Sequence, residues 1–210
     1  MAGKFISLEG GEGVGKTTLI QKLRAHLEAR GLEVIVTREP GGTPGAEVLR
    51  DILLTGATDR WSPVTEALLM YAARVDHVER LIQPALARGA WVLSDRFSDS
   101  TIAYQGAAGG MDIARIRQLH DVALEAFYPD LTFVLDLDPL VGLRRTVERG
   151  EDPTRFEMHD TEFHARLRDA FLRIAKDEPR RCQVLDASCP PDEVYETALA
   201  IIAENLGAQA

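Results

Sequence analysis

The chain constrains its own fold within the first thirty residues. The run Phe5 to Leu8, FISL, is short and apolar as a buried strand is, and it leads directly into GGEGVGKTT, Gly10 to Thr18. TTLIQKLRAHLEARG then follows with helical spacing. Strand, glycine-rich loop, lysine, hydroxyl and helix in this order fit G-x-x-x-x-G-K-[ST] in the context that gives the pattern meaning. Glycine lets the backbone turn successive N–H groups inward, and the positive end of the next helix points to the same place, which makes an anion cradle. Gly10, Gly11, Glu12, Gly13, Val14, Gly15, Lys16, Thr17 and Thr18 are thus the expected ATP site. Lys16 is placed to reach the β- and γ-phosphates and the Thr17 hydroxyl to ligate Mg²⁺.

The same periodicity continues. Short apolar runs at VIV (34–36), WVL (91–93), FVLDL (133–137) and VL (184–185) alternate with helical intervals. Strands apolar on both faces, separated by helices, predict a doubly wound α/β fold: five parallel strands flanked by helices, of the P-loop NTPase type. One domain is expected over residues 1–210. Ser62-Pro63 and Asp138-Pro139 mark helix starts, with the polar residue as N-cap and proline at the first helical position. After Ser62, the spacing sends Leu68, Tyr71, Val75, Val78 and Ile82 to the core, until Pro84 kinks or interrupts the helix. Met70 and Arg74 share the adjacent stripe.

Charge and composition remove several partners. With 24 Lys+Arg against 33 Asp+Glu the formal charge is -9, which repels nucleic-acid backbones and anionic membranes. No apolar run approaches the roughly 20 residues that span a bilayer. MAGK leads into a strand without a signal-peptide core, so a cytoplasmic location is expected. Cys182 and Cys189 form neither a C-x-x-C pair nor a four-thiolate zinc site and are expected to be reduced thiols.

A phosphate cradle alone does not name an activity. The guanine-reading N-K-x-D segment of common GTPases is excluded, because the sole asparagine is Asn205, followed by Leu-Gly. In WVLSDRF a strand ends on Asp95-Arg96, where an open α/β sheet borders its ligand crevice. Asp95 then faces the Mg²⁺ region and Arg96 the phosphates. Arg38, Arg50, Arg74 and Arg96 fall where a second phosphate site opposite the first is expected. Two facing phosphoryl groups define phosphoryl transfer. A phosphate-monoester acceptor, with a second pKa of about 6, needs no general base, so arginines serve it better than histidine. The five histidines are read as incidental. LRRTVERGEDPTRFE (143–157) reads as a short lid, carrying Arg144, Arg145, Arg149 and Arg155 to the donor phosphates on closure. Two other readings stay open here. One is a deoxynucleoside kinase using Glu39 as base on a neutral hydroxyl, and the other an ATP-dependent switch.

Taken together, EGGEGVGKTT, TREPGGTPGAEVLRDILL, LLMYAAR, PALARGAWVLSDRFSDSTIAYQG and the lid arginines resemble the bacterial thymidylate kinase family across nearly the whole chain. The resemblance implies transfer of the γ-phosphoryl of ATP to dTMP, with Mg²⁺, in a homodimer. It implies that Glu12 approaches the sugar 3′-hydroxyl and that Arg38 and Arg96 bind the acceptor phosphate, with Arg50 as a further contact. Asp95 arranges Mg²⁺. Arg74 meets the thymine edge, helped by Ser100 and Thr101, with Tyr104 beside the sugar, Gln105 nearby and Pro40 shaping the loop. Family members with an arginine inside the phosphate loop carry it where this chain has Gly13. The resemblance is therefore to the other subtype, whose lid supplies the basic groups, with Arg149 and Arg155 as leading candidates. Met70 stands where the family often stacks an aromatic ring on the base.

Overall fold

The computed structural model describes residues 3–148 and 154–207. Its sheet contains β1 (Phe5–Glu9), β2 (Val34–Arg38), β3 (Trp91–Asp95), β4 (Leu131–Asp136) and β5 (Cys182–Asp186). All pairs are parallel and the order is β2-β3-β1-β4-β5. The expected five strands are therefore present, with β4 starting two residues before the predicted run. The order reverses at β1, so β2 and β3 lie on one side of it and β4 and β5 on the other. Crevices at such reversals, outside the carboxyl ends of the strands, are where α/β sheets take ligands.

The helices, in chain order, are α1 (Lys16–Ala29), α2 (Pro44–Leu54), α3 (Pro63–His77), α4 (Gln83–Ala87), α5 (Ser98–Thr101), α6 (Ile113–Leu124), α7 (Pro139–Glu148), α8 (Thr161–Asp177) and α9 (Pro191–Leu206). Because side chains alternate along a strand, β1 presents Ile6 and Leu8 to one face and Phe5, Ser7 and Glu9 to the other. Ile6 and Leu8 pack with Leu23 and Leu27 of α1 and with Ala198 and Ile202 of α9. Each buried aliphatic side chain of this kind contributes about 1.5–3 kcal/mol. The opposite face is covered by α8, by the segment after α5, and by the extension of α3.

Local chemistry sets the helix starts as expected. Ser62 Oγ accepts the Thr65 N–H, and Asp138 Oδ1 accepts the Leu140 N–H. The α-helical pattern is interrupted near Pro84, as expected, but the interruption begins before the proline. Between α3 and α4 the backbone widens into a π-helical turn, Val78–Ile82, and the Gln83 N–H reaches back to the Val78 carbonyl. The register has already shifted when Pro84 arrives without an N–H to donate, at the first turn of α4 where none is required. Leu68 also departs from expectation. It is 53% exposed, while Tyr71, Val78 and Ile82 are buried as predicted.

Candidate active site

Above the carboxyl ends of β1 and β3 lies a cleft of about 550 Å³. One wall is the phosphate loop. Gly13 and Gly15 hold left-handed φ values of 67° and 99°, the latter at the N-cap of α1, where no side chain caps the helix. The first N–H groups of α1 are thus left for an anion in the cleft that Gly15, Lys16, Thr17 and Thr18 line. Lys16 Nζ donates to the Gly11 carbonyl at 2.9 Å and stands 3.9 Å from Asp95. Burial, the main cause, pulls the ammonium down to about 8, against the attraction of Asp95 and Glu12.

Glu12 leaves this loop toward the opposite wall. Its Oε1 accepts the Tyr104 hydroxyl and, at 3.3 Å, an Arg96 N–H, while His164 Nδ1 lies 3.5 Å from Oε2. Burial would raise this carboxyl, but His164, Arg96 and Tyr104 outweigh it and hold the group at about 2. Arg96 is fixed twice. Its side chain donates to the Gly10 carbonyl at 2.8 Å and to Ser100 Oγ at 3.2 Å, and lies over the Tyr104 ring. Its backbone has φ 73°, a strained value for a non-glycine residue, held by N–H to Leu8 carbonyl and Ser94 Oγ to Arg96 carbonyl bonds. Glu9 completes the turn by accepting the Phe97 N–H at 2.7 Å and the Ser100 hydroxyl at 2.5 Å. Burial, then Asp99, pushes Glu9 up to about 8.

The far end of the acceptor wall is a buried ion network. Arg74 Nε donates to Glu39 at 2.7 Å, and its NH2 to the Phe97 carbonyl and Thr101 Oγ1, both at 3.1 Å. His77 Nδ1 lies 3.0 Å from the other Glu39 oxygen and its Nε2 2.7 Å from Thr37. Arg74 NH1 alone in this guanidinium has no hydrogen-bond partner among the described residues. A charged donor is therefore left on a residue that lines the cleft. Beside it, Arg38 bonds Glu47 at 3.1 Å and Arg50 bonds the Pro40 carbonyl at 2.6 Å.

Every residue expected at the acceptor, from Glu12 and Arg38 to Tyr104 and Gln105, lines this one cleft, as do Lys16, Thr17 and Asp95. The lid arginines divide differently from expectation. Arg149 lies outside the described residues. Arg155 does not line the cleft: it is fully buried, donates to the Leu53 and Thr58 carbonyls, and pairs with Glu66, which also accepts from Gln105. Leu53 belongs to the last turn of α2, whose free carbonyls and negative dipole end attract a cation. Arg145 instead lines the cleft and extends to the Gly13 carbonyl at 3.5 Å.

Other residues were not anticipated. His77 and His164 belong to the site network rather than being incidental. The signal for His164 was present, since it interrupts the apolar stripe of Phe163, Leu167, Phe171 and Ile174 on α8. Ala187, Cys189 and Val194 form an apolar wall beside the loop. They follow β5, so the strand-end rule that singled out Asp95-Arg96 also covers the first two. Among the described residues no cluster of three His, Cys, Asp or Glu forms a metal cage. Thr17 and Asp95 nonetheless fit Mg²⁺, which takes hard oxygen donors and is commonly held by one or two protein groups plus substrate phosphates and water.

Comparisons with known proteins point to one family. The thymidylate kinase family model matches residues 8–198. A thymidylate kinase of Caulobacter vibrioides is 54% identical over 205 residues, covering 98% of both chains. One of Rhizorhabdus wittichii is 49% identical over 207 residues, covering 98% of this chain and 100% of its own. The crystal structure of thymidylate kinase from Ehrlichia chaffeensis aligns with a TM-score of 0.77 at 35% identity, over 96% of this chain and 99% of that one.

Proposed function

The chain belongs to the thymidylate kinase family and phosphorylates dTMP to dTDP; from that premise we propose how the cleft divides the work. The donor is ATP, with its phosphates in the loop 10–18 and its base against Ala187, Cys189 and Val194. The acceptor lies opposite. Arg38, Arg50 and Arg96 hold its phosphate, Glu12 and Tyr104 face the sugar, and Arg74 NH1 donates to the thymine edge. Thr101 positions Arg74, Ser100 positions Arg96, and Met70 covers the base with a flexible, polarizable side chain. Gln105 and Pro40 shape the pocket from its edges. The observation that carries this reading is the opposition of amide cradle and arginine wall across a single cleft.

In the reaction an acceptor phosphate oxygen attacks the γ-phosphorus of ATP, a new O–P bond forms, and the bond to the β-phosphate oxygen breaks to leave ADP. The acceptor is largely dianionic at neutral pH, so no side chain has to remove a proton. Lys16, Arg96 and Arg145 stabilise charge on the transferring group, while the protein otherwise orients the two anions in line. Mg²⁺, held through Thr17 and Asp95, would neutralise charge on the β- and γ-oxygens. A crystal containing a non-hydrolysable ATP analogue and dTMP tests the arrangement. The acceptor phosphate is expected within hydrogen-bond reach of Arg96 and the thymine against Arg74; thymine lodged elsewhere overturns it.

The assembly we assign is a homodimer. Val48 on α2, Leu68 on α3 and Val122 on α6 are 61%, 53% and 86% exposed, and α3 packs against both other helices, so apolar groups are presented on adjoining elements. Sedimentation at twice the 23.1 kDa chain mass is expected, and a monomer at micromolar concentration rejects it. No helix among the described residues is long and apolar enough to cross a membrane. Nucleotide substrates and two free thiols support action in the reducing cytoplasm.

A further inference from the structure

The two oxygens of Glu12 face different parts of the molecule. Oε1 meets Tyr104 and Arg96, which line the cleft. Oε2 is buried and has no hydrogen-bond partner among the described residues; the nearest polar group is His164 Nδ1, 3.5 Å away. His164 does not line the cleft. Its ring is 3% exposed and walls a much smaller cavity, about 20 Å³, behind the phosphate loop together with Gly11, Glu12 and Leu167. Nε2 of the same ring also has no hydrogen-bond partner among the described residues. The polar edge that is directed at another side chain is the one facing Glu12.

Burying an imidazole on an apolar helix stripe is costly, and a leucine or phenylalanine would suit the packing better. The neighbouring stripe residues show what the helix does here. Phe163 and Phe171 flank the Tyr104 ring at 6.2 and 6.3 Å, and Phe163 meets His164 edge to face at 5.6 Å. Helix α8 thus fixes the ring of Tyr104, while its histidine approaches the carboxylate that the Tyr104 hydroxyl bonds. Both contacts converge on Glu12.

We propose that His164 is a positioning residue for Glu12, its Nδ1–H holding Oε2 from behind the phosphate loop so that Oε1 stays aimed at the acceptor sugar. The purpose, though not the contact, rests on the reading above that Glu12 meets the 3′-hydroxyl. His164 touches no substrate. It acts by removing the rotational freedom that a carboxylate anchored through one oxygen would retain.

The test is a mutant cycle read with two acceptors. His164→Phe, His164→Gln, Glu12→Gln and the double variant Glu12→Gln/His164→Phe are assayed with dTMP and with its 3′-deoxy analogue. Losing the one polar group that faces Oε2 of a buried carboxylate predicts that His164→Phe raises KM for dTMP about tenfold, with kcat within about twofold. His164→Gln, whose amide can donate, should recover most of the loss. In the Glu12→Gln background the phenylalanine should add less than about twofold, since its effect runs through the carboxylate. Equal losses from His164→Phe in both backgrounds overturn the proposal. The analogue isolates the underlying reading. If Glu12→Gln leaves the preference for dTMP over the 3′-deoxy compound intact while the cycle remains coupled, Glu12 does not serve the 3′-hydroxyl but His164 still positions it. Should His164→Phe fail to fold, His164→Asn takes its place: too short to reach Oε2, it should show the same tenfold loss, and wild-type kinetics from it overturn the assignment.

Discussion

The two walls of the cleft are built on opposite plans. The acceptor wall is side chain upon side chain: Arg74 on Glu39, Glu39 on His77, and Arg96 on Glu12 and Tyr104, backed by the buried pair of Arg155 and Glu66. The donor wall is backbone. Glycines in left-handed conformations, an uncapped helix start and the exposed residues Thr17 and Thr18 form its phosphate end, where the cationic side chains are Lys16 and the outlying Arg145. Backbone amides bind any polyphosphate, whereas a locked guanidinium fork with one nitrogen left over can accept only a ligand with an acceptor at that point. The contrast teaches where selectivity resides. The donor wall supplies charge stabilisation and the acceptor wall decides which molecule receives the phosphoryl group.

That contrast can be broken most forcefully on the donor side. Lys16→Ala should lower kcat by about 10³-fold with dTMP affinity nearly unchanged, because it removes a preorganised donor to the transferring group. In the unmutated enzyme kcat/KM for ATP should also fall as pH rises past about 8, where the Lys16 ammonium loses its proton, and this limb should vanish in the variant. A pH profile flat from 7 to 9 contradicts it. Next in size, Arg74→Ala should raise KM for dTMP about 10²-fold and lower global stability by about 3–5 kcal/mol, since Glu39 is left buried without its guanidinium. Steady-state kinetics and urea titration read both; unaltered dTMP kinetics would remove Arg74 from the acceptor site. The smallest effect sharpens the boundary between the walls. Arg145→Ala should reduce kcat about tenfold and leave KM for dTMP alone, as expected for one exposed group acting on the donor. A rise in KM for dTMP instead would put Arg145 on the wrong wall.

The donor wall and the sheet were legible in the sequence because each depends on neighbours along the chain. Strand, loop and helix are contiguous from Phe5 to Ala29, and the β-branched runs announced the strands within a few residues. The acceptor arginines were found as candidates for the same reason, lying at the end of β2, just after β3, or on a helix. What escaped the sequence was pairing across the fold. Nothing near Arg155 shows that Glu66, Leu53 and Thr58 would enclose it, so a basic residue in a charged segment read as mobile. His164 is 152 positions from Glu12 and its role exists only once α8 docks behind the loop. Leu68 followed the helical stripe yet faces outward, because periodicity gives the angle of a residue around its helix but not which neighbour covers it.

The seam between the phosphate loop and α7 limits which residue position 13 can hold. A Cβ added at Gly13 would sit 2.1 Å from the Gly142 carbonyl oxygen, and one added at Gly142 would sit 2.3 Å from that of Glu12. Main chain abuts main chain, with no flexible atom to yield. A side chain at position 13, an arginine included, would therefore require α7 to draw back from the loop before it could be seated.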